Sequence, residues 1–440
     1  MPRPAKGRRL NVWMNGELVG HWDIALRGRH EFRYAPSWLD APATRPLSLS
    51  MPLQASSLRH SDDRVNAFFD NLLPESPEIR RRLQARFGTP STNAFDLLAE
   101  IGRDCVGAVQ LLPPDDEPKN LKRIEGKPLR EKDVEQFLRR TVAMPTLGQQ
   151  DDTPFRISLA GVQEKTALLW HNGRWHLPLG ATPSTHIFKL PIGHATHFNV
   201  DLSASIENEW LCAQIVRAYG LRIAQCEMAT FGDQRVLIVE RFDRRLASNG
   251  KWWLRLPQED MCQATGTPPG QKYESDGGPG IREIMSLLLG AGDSLADRRI
   301  FFKAQIVFWA LCAIDGHAKN FSIAIKPRGE YSLAPLYDVI SAYPVVGRSK
   351  RQIPEQRVKM AMALRGKNRR YHWATILRRH WFDMARACHF SEFVEPLIGE
   401  IVDLTPKVIE KVSKLLTPKF PAAVADPILN GLERAVKRLT

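Results

Sequence analysis

A polar hexapeptide at residues 315–320 follows an apolar segment that ends at Ile314. An aspartate in a tight loop can orient a hydroxyl nucleophile, and an asparagine five positions later can bind magnesium through its amide oxygen. Because Asp and Asn also favour ordinary caps and turns, a purely structural turn is the alternative. The spacing makes Asp315 a candidate base and Asn320 a candidate metal ligand.

A second acidic residue, Asp338, interrupts the apolar run at residues 336–340, which is typical of a strand. A carboxylate in such a run is costly to bury unless it is paired or coordinates a metal. Together with Asn320 it would provide two oxygen ligands for Mg²⁺, and phosphate oxygens would provide others. An aspartate satisfied by backbone amides at a turn is the competing interpretation.

One lysine, Lys189, also lies inside an apolar strand-like segment, at residues 185–190. A strand lysine that faces a cleft can hold the α- and β-phosphates of a nucleotide if a carboxylate positions it. The helix predicted next offers two such carboxylates, Glu207 and Glu209. An edge-strand lysine in water is the alternative.

A turn of small residues at 158–166 precedes a predicted hairpin. Its backbone N–H groups could cradle phosphates, although the spacing from Gly161 to Lys165 is too short for a P-loop. An ordinary turn that enters a strand is the alternative.

The apolar strand predicted at residues 234–240 ends in charged residues. At that end the backbone C=O of Glu240 and the N–H of Phe242 could meet an adenine edge. A core strand that leaves its sheet is the simpler interpretation of this segment alone.

Patterns of hydrophobic residues predict the strands and helices that would position these side chains. Asn15-Gly16 and Asn172-Gly173 each lie between strand-like runs and predict type I′ hairpins. Further strands are predicted at residues 106–111, 185–190 and 234–240. Helices are predicted at residues 65–87, 94–101, 131–141, 206–219, 281–289, 298–314, 373–387, 393–402, 406–416 and 427–439.

This organisation predicts an α+β fold of two lobes with a cleft between them: a mixed α/β N-terminal lobe and an all-helical C-terminal lobe. The expected divisions are an α/β subdomain at residues 1–112, a connector with one helix at 113–155, a nucleotide-binding part at 156–242 and a helical lobe with the catalytic loop at 243–440.

Composition is that of a folded, water-soluble protein: 440 residues, 43% hydrophobic and 25% charged. The net charge of +14 attracts phosphates but does not distinguish nucleic acid, nucleotide or an acidic protein as the partner. Six scattered cysteines predict reduced, mostly buried thiols. Without a signal-like segment or a sufficiently long apolar run, we expect a cytoplasmic protein and no membrane span.

The order of these motifs is more informative than any one of them. A glycine-containing loop, a strand lysine, a helix glutamate, an interlobe strand, Asp-x4-Asn and a metal aspartate follow one another as in a protein-kinase-like enzyme. The motifs at residues 157–166, 185–191, 239–244, 315–320 and 337–338 together resemble those of the HipA family of bacterial toxin kinases. Residues 69–74, 102–109 and 256–263 extend this resemblance over nearly the whole chain.

The resemblance implies roles for individual residues. Asp315 would be the catalytic base, Asn320 and Asp338 would hold Mg²⁺, and Lys189 with its helix glutamate would hold phosphates of ATP. Glu240 and Phe242 would contact adenine. Other nucleotide contacts would come from the loop and from the two catalytic motifs: Ala160, Gly161, Val162, Gln163, Glu164, Lys165, Glu209, His317, Lys319 and Tyr337.

The family resemblance also implies a biological role: a serine/threonine kinase that is the toxin of a type II toxin–antitoxin pair. Autophosphorylation of Ser158 would eject the loop and inactivate the kinase. The partners would be a HipB-like helix-turn-helix antitoxin, operator DNA reached through that complex, and a protein of the translation machinery such as glutamyl-tRNA synthetase. Asp338 is followed by Val-Ile, not by Phe-Gly, so the switching associated with Phe-Gly is not expected.

Much of the excess positive charge lies at residues 348–379, which contain eleven Lys and Arg and one acidic residue, Glu355. Such a stretch could follow a DNA backbone, or it could be a solvated loop. By resemblance, contacts with DNA would fall on the next helix at Arg386 and His389. A neutral histidine would contribute less there.

Two other functions fit parts of the pattern. One is a DNA-binding corepressor with degenerate kinase activity, which would require the loss of catalytic positions. The other is a small-molecule phosphotransferase, because such enzymes share the Asp-x4-Asn arrangement. The long N-terminal region disfavours the latter, since a nucleotide lobe needs fewer residues.

Overall fold

The computed structural model of the chain describes residues 8–25, 28–61, 63–142, 158–160, 163–195, 200–366 and 368–440. Its elements form three parts, which we call the N-terminal part (residues 8–112), the central sheet part (residues 126–240) and the C-terminal part (residues 244–440). Within the described ranges, no helix combines the length and the apolar character needed to cross a bilayer.

The N-terminal part is a four-stranded antiparallel sheet covered by short helices. The strands are β1 (Arg8–Met14), β2 (Glu17–Ile24), β3 (His30–Tyr34) and β4 (Val109–Leu112), in the order β3-β2-β1-β4. The helices are α1 (Pro36–Leu39), α2 (Asp63–Asp70), α3 (Pro77–Phe87) and α4 (Ala94–Ile101). The first predicted hairpin is confirmed, because Asn15 and Gly16 both have positive φ between β1 and β2.

The predicted helix at residues 65–87 is wrong as a single element. It is α2 followed by α3, with a bend at Pro74 that the proline ring and its missing N–H impose. Ser76 caps the second helix, since its Oγ accepts from the N–H of Ile79 at 3.4 Å. The bend carries residues 71–75 away from the helices, toward the rest of the molecule.

The central sheet part is an antiparallel sheet in the order β11-β12-β8-β6-β7-β5. The strands are β5 (Gly126–Pro128), β6 (Lys165–His171), β7 (Arg174–Pro178), β8 (His186–Lys189), β11 (Cys226–Phe231) and β12 (Gln234–Glu240), and a separate pair is formed by β9 (Gly193–Ala195) and β10 (Val200–Leu202). The helices are α5 (Glu131–Val142) and α6 (Ser205–Ala218). The second Asn-Gly hairpin and the strand at 234–240 are confirmed.

Alternation along β8 decides which side chains reach the cleft. Phe188 is fully buried in the cluster that α5 covers, whereas its neighbour Ile187 packs in the cluster beside Ile206 of α6. Because successive side chains of a strand point to opposite faces, Lys189 shares the face of Ile187. The strand thus presents its lysine on the side of α6.

The C-terminal part contains the largest core, but it is not all-helical as predicted. Its helices are α7 (Met261–Thr265), α8 (Ile281–Leu287), α9 (Ser294–Ala310), α10 (Arg378–Ala387), α11 (Ser391–Ser413) and α12 (Ala422–Val436). Its strands are β13 (Arg244–Leu246), β14 (Trp253–Arg255), β15 (Gln258–Asp260), β16 (Ser322–Ile325), β17 (Tyr331–Leu333), β18 (Lys359–Arg365) and β19 (Arg369–His372). Most of these strands have only three or four residues, too few for a period-two pattern to be recognised in the sequence.

Several helix boundaries in this part also differ from prediction: α9 begins and ends four residues before the predicted range 298–314, and α12 covers 422–436 instead of 427–439. Residues 373–377 do not belong to α10, which begins at Arg378. The helices predicted at 393–402 and 406–416 are the single helix α11, which contains Pro396 and Pro406. A proline removes one backbone hydrogen bond. The buried face of α11, which includes Ile401 and Val408, keeps the helix continuous by packing into the core.

A buried ionic cluster joins the N-terminal part to the other two. Asp104 accepts hydrogen bonds from Ser184 Oγ at 2.6 Å and Arg244 Nη2 at 2.9 Å. Arg241 binds Asp243 at 2.8 Å, and Arg255 Nη2 lies 3.4 Å from Asp104. Because all five charged side chains are almost wholly buried, the cluster fixes the end of β12 against both neighbouring parts.

All six cysteines lie in the described residues and are free thiols, as the sequence predicts. Five of them are buried, and only Cys226 is partly exposed. Burial raises the pKa of Cys105 to about 12 and that of Cys226 to about 11, so these thiols stay protonated at neutral pH.

Candidate active site

A cleft lies where the three parts meet. The central sheet part lines it with β6, β8 and β12, and the N-terminal part lines it with residues 71–75. The C-terminal part contributes the loop at 315–320 and the irregular segment around Asp338. Most of the predicted site residues line it: Ala160, Lys165, Lys189, Glu209, Glu240, Phe242, Asp315, His317, Lys319, Asn320, Tyr337 and Asp338.

Lys189 is the ionic centre of the cleft. Its Nζ donates to Glu209 Oε1 at 2.6 Å and to Asp338 Oδ1 at 2.7 Å. Burial alone would lower the pKa of Lys189, but these two carboxylates raise it, so the side chain stays charged. Glu209, not Glu207, is therefore the partner on α6; Glu207 instead binds Arg235 at 2.5 Å.

Asp338 lies in an irregular segment, so the predicted strand at residues 336–340 is wrong. Its φ of 60° is in the left-handed region, which a non-glycine residue occupies only at a cost. Burial would raise the pKa of the carboxyl, yet Lys189 and Lys165 hold it well below its usual range. With Oδ1 engaged by Lys189, the second oxygen of this ionised carboxylate remains to bind a cation.

Asp315 opens the polar loop on the other side of the cleft. Tyr273 donates its hydroxyl to Asp315 Oδ1 at 2.5 Å, and the Asp315 side chain is 54% exposed. Desolvation by the surrounding cleft raises the pKa of Asp315 to about 6, although Tyr273 and Lys272 oppose that rise. A carboxylate that is ionised at neutral pH and has a pKa near 6 suits a general base.

Asn320 is oriented by the same loop. Its Nδ2 donates to the backbone carbonyl of Asp315 at 2.8 Å, which leaves Oδ1 as the atom able to bind a metal. With Asp338 this makes an all-oxygen pair, the donor type that Mg²⁺ prefers. The described residues contain no group of three or more His, Cys, Asp or Glu that could hold a metal alone, so phosphate and water would have to complete this shell.

Lys319 is engaged by protein acceptors and is not left free for a nucleotide. Its Nζ donates to Asn71 Oδ1 at 2.7 Å, to the Asn71 carbonyl at 3.1 Å and to Asp260 Oδ2 at 2.7 Å. An ammonium has three hydrogens to donate, so this set uses all of them. The side chain therefore ties the loop at 315–320 to the N-terminal part, and the predicted contact of Lys319 with the nucleotide stays a prediction.

His317 is neutral in this setting. Burial lowers the pKa of His317 to about 3, and the charge of Lys272 acts in the same direction. Its Nδ1 has no hydrogen-bond partner among the described residues, and its ring meets that of Tyr273 edge to face at 5.1 Å. The imidazole can therefore contribute a hydrogen bond to a ligand but no positive charge.

An apolar end of the cleft lies beside the end of β12. The rings of Phe242 and Tyr337 have centroids 5.9 Å apart, and Ile187, Ile223 and Val239 line the same end. The Tyr337 hydroxyl is 2.6 Å from Ser322 Oγ, so the ring is held in place. Flat aromatic and aliphatic walls beside an exposed strand end suit an adenine ring.

The predicted nucleotide loop divides between two surfaces. Ala160 and Lys165 line the cleft, whereas Gln163 and Glu164 line a second cavity next to α3. There Gln163 Nε2 donates to the Leu190 carbonyl at 2.5 Å, and Glu164 is ion-paired with Arg82. Gly161 and Val162 lie outside the described residues, so their predicted role stays a prediction.

Lys165 is the second cation on the sheet side of the cleft. It pairs directly with Lys189 across β6 and β8, so the two side chains share one face of the sheet. Burial and the charge of Lys189 lower the pKa of Lys165 to about 8, and Asp338 limits the fall. Two lysines side by side favour an anionic ligand between them.

Ser158 is buried beneath the cleft wall. Its Oγ donates to the Leu72 carbonyl at 2.7 Å, and its N–H donates to the Asp104 carbonyl at 3.1 Å. The side chain is completely inaccessible in this arrangement. A reagent in the cleft can reach this hydroxyl only if residues 158–160 leave their place.

Four residues around Asp315 were not among the candidates that the sequence predicts. Glu75 and Asn71 come from the bend after α2, and Lys272 and Tyr273 come from a short loop after α7. Lys272 Nζ donates to Glu75 Oε2 at 2.6 Å. No spacing rule links a residue near position 75 to one near 272, so only the fold reveals this pair.

The residues predicted to contact DNA lie on the surface. Arg386 is near the end of α10, with 76% of its side chain exposed, and His389 follows it, exposed and with a φ of 51°. In the basic stretch at 348–379, Arg365 is bound by Glu274 at 2.9 Å and Arg378 by Glu395 at 2.5 Å. Most of the remaining basic side chains are exposed: Arg348, Lys350, Arg351, Arg357, Lys359, Arg369 and Arg379. Lys367 lies outside the described residues.

Comparison with protein families finds two matches that together span most of the chain. The model of the HipA N-terminal domain matches residues 10–112, and the model of the HipA-like C-terminal domain matches residues 157–409. The resemblance inferred from the motifs is thereby confirmed.

Individual relatives agree with this result. Y4mE of Sinorhizobium fredii, whose name assigns it provisionally to the kinases, is 36% identical over 410 residues, 92% of each chain. The serine/threonine-protein kinase toxin HipA of Shewanella oneidensis is 29% identical over 350 residues, 77% of this chain and 76% of that one. Among solved structures, a complex of Shewanella oneidensis HipA, HipB and operator DNA matches with a TM-score of 0.79 at 21% identity, over 98% of this chain and 97% of that chain. The overall fold is therefore that of HipA, a kinase-like fold of mixed helices and sheets.

Proposed function

Because this chain belongs to the HipA family, we propose that it is an ATP- and Mg²⁺-dependent serine/threonine-protein kinase and the toxin of a type II toxin–antitoxin pair. The observation that carries the proposal is the convergence of Lys189, Asp338, Asn320 and Asp315 on one cleft. These are a phosphate-binding cation, two oxygen ligands and a base, which phosphoryl transfer requires in close proximity.

Each residue has a distinct task in this proposal. Phe242 and Tyr337 enclose the adenine, while Lys189, fixed by Glu209, holds phosphate oxygens. Asn320 and Asp338 would hold Mg²⁺, which when bound neutralises charge on the phosphates. Asp315 accepts the proton of the attacking serine or threonine hydroxyl, and Tyr273 fixes its carboxylate in the required orientation.

Autophosphorylation of Ser158 belongs to the same proposal. The buried hydroxyl donates to Leu72, and a phosphate carries about two negative charges that this site cannot solvate. A phosphorylated Ser158 would therefore be unable to return to its place. Because Ala160 and Lys165 line the cleft next to it, displacement of the segment would remove part of the nucleotide site.

The test is incubation with γ-labelled ATP and Mg²⁺ followed by mapping of the labelled residue. We expect label on Ser158 and its loss in Ser158→Ala. Ser158→Asp is expected to weaken ATP binding by about tenfold, since a carboxylate beside the Leu72 carbonyl cannot be buried without a partner.

Ser57→Ala, which changes an exposed serine, serves as the matched control and should keep the label. Label confined to other residues would refute the autophosphorylation site. Absence of any ATP-dependent labelling, on this chain or on added protein substrates, would refute the kinase itself.

The proposed partners follow from the family and from the surface. We propose a HipB-like helix-turn-helix antitoxin and operator DNA reached through it, with the protein acting as corepressor. The exposed basic side chains between Arg348 and Arg379, together with Arg386 and His389, support a contact with a phosphate backbone. The proposed substrate class is a protein of the translation machinery, with glutamyl-tRNA synthetase as the first candidate to assay.

A further inference from the structure

The catalytic loop itself provides no free positive charge next to the base. The only lysine or arginine in residues 315–320 is Lys319, and its ammonium is saturated by Asn71 and Asp260. Lys189 and Lys165 lie across the cleft, on the sheet. Phosphoryl transfer spreads negative charge over the migrating group, which requires a cation near the point of attack.

Lys272 is placed to meet this requirement. It lines the cleft with Asp315 and Asp338, and its side chain is only 10% exposed. Two links fix its segment to the catalytic loop: the Lys272 carbonyl accepts from the N–H of Ala318 at 3.3 Å, and the next residue, Tyr273, donates to Asp315.

Glu75 holds the lysine in this position from the N-terminal part. Its Oε2 accepts from Lys272 Nζ at 2.6 Å, and its side chain is 13% exposed. Among the described residues, no other acceptor lies within hydrogen-bonding distance of this ammonium. Since an ammonium has three hydrogens, two remain for a ligand in the cleft.

We propose that Lys272 binds the γ-phosphate of the nucleotide and that Glu75 positions its ammonium for this contact. The inference rests on the proposed kinase function and deepens it, because it assigns the terminal phosphate to a cation outside the recognised motifs. It also makes the N-terminal part a contributor to the active site, since this part supplies the residue that orients the lysine.

The experiment compares a triphosphate with a diphosphate. Binding of a non-hydrolysable ATP analogue and of ADP, each with Mg²⁺, is measured by calorimetry on the full chain and on Lys272→Met. We expect the affinity for the analogue to fall by about 10- to 100-fold, as for loss of a charge-assisted hydrogen bond. The affinity for ADP is expected to stay within about twofold, because ADP lacks the phosphate that Lys272 contacts.

Further variants separate a phosphate contact from a purely structural role. Lys272→Arg keeps the charge and should retain the preference for the triphosphate, even if Lys272→Met folds poorly. Glu75→Gln should reduce the preference by a smaller factor, about 3- to 10-fold, since the lysine remains but is less well oriented. Lys251→Met, at an exposed site, is the matched control and should bind both nucleotides as the unchanged chain does.

Equal loss of affinity for both nucleotides, or no loss for either, would overturn the role of Lys272. That failure is distinguishable from failure of the kinase proposal, because labelling by ATP in the unchanged chain does not depend on which lysine meets the γ-phosphate.

Discussion

Asp315→Asn is expected to lower the rate of phosphotransfer by about 10²- to 10⁴-fold, the usual contribution of a general base. An amide cannot accept the hydroxyl proton, yet it is nearly the same size and its oxygen can still accept from Tyr273. The affinity for the Mg²⁺-bound ATP analogue should therefore change by no more than about twofold, and the loss should appear in kcat. Single-turnover labelling with γ-labelled ATP measures the rate.

Two comparisons make this prediction specific. Asp115→Asn removes an exposed carboxylate far along the chain and should label at the rate of the unchanged protein. A labelling rate for Asp315→Asn within threefold of the unchanged chain would mean that another group takes the proton, and the assignment of the base would be wrong.

The second large effect concerns stability. Asp104→Asn is expected to lower the free energy of unfolding by about 3 to 5 kcal/mol, because it leaves a buried arginine cluster with too little negative charge. Arg241, Arg244 and Arg255 would then share Asp243 as their only carboxylate partner within the cluster described above. Urea denaturation at pH 7 measures the loss, again with Asp115→Asn as the control.

The loss of stability caused by Asp104→Asn should depend on pH in a direction that the pKa of Asp104 determines. Although burial would raise the pKa of Asp104, Arg244, Arg241 and Arg255 hold it far below its usual range. A depressed pKa stabilises the folded state above the unfolded value of about 3.9, and this contribution is lost as pH falls through the folded value. The stability difference between the two proteins should therefore be full at pH 7 and should narrow in acid below about pH 4. A difference that stays constant into acid would contradict this origin.

Residues near one another in the chain could be recognised from the sequence. The loop at 315–320 combines the proposed base and a proposed metal ligand within six residues, and its position after an apolar run is visible without a structure. Lys189 was recognisable because a charge in an apolar strand requires an explanation. From the sequence, either Glu207 or Glu209 could be the partner of Lys189. The orientation of α6 decides between them, since residues two apart on a helix do not face the same side.

Contacts between distant segments could not be predicted. Glu75 and Lys272 meet only because the bend after α2 and the loop after α7 reach the same cleft. The apolar neighbours of Asp338 predict a strand, because no sequence pattern indicates the irregular backbone and the positive φ found at this residue. The short strands of the C-terminal part could not be predicted for a similar reason. Strands of three or four residues depend on neighbouring structure more than on their own sequence pattern.

The N-terminal part accordingly contributes to the site as well as to the fold. Asn71 binds Lys319, Leu72 binds Ser158, and Glu75 binds Lys272. All three residues lie in the bend between α2 and α3. A displacement of this bend would act on the catalytic loop, the proposed phosphoacceptor and the proposed γ-phosphate lysine together.

The most direct test of the central claim is an experimental structure with Mg²⁺ and a non-hydrolysable ATP analogue bound. We expect the adenine beside Phe242 and Tyr337, the metal on Asn320 and Asp338, and the phosphates between Lys189 and Lys272. A nucleotide bound outside this cleft, or a metal that touches neither Asn320 nor Asp338, would contradict it.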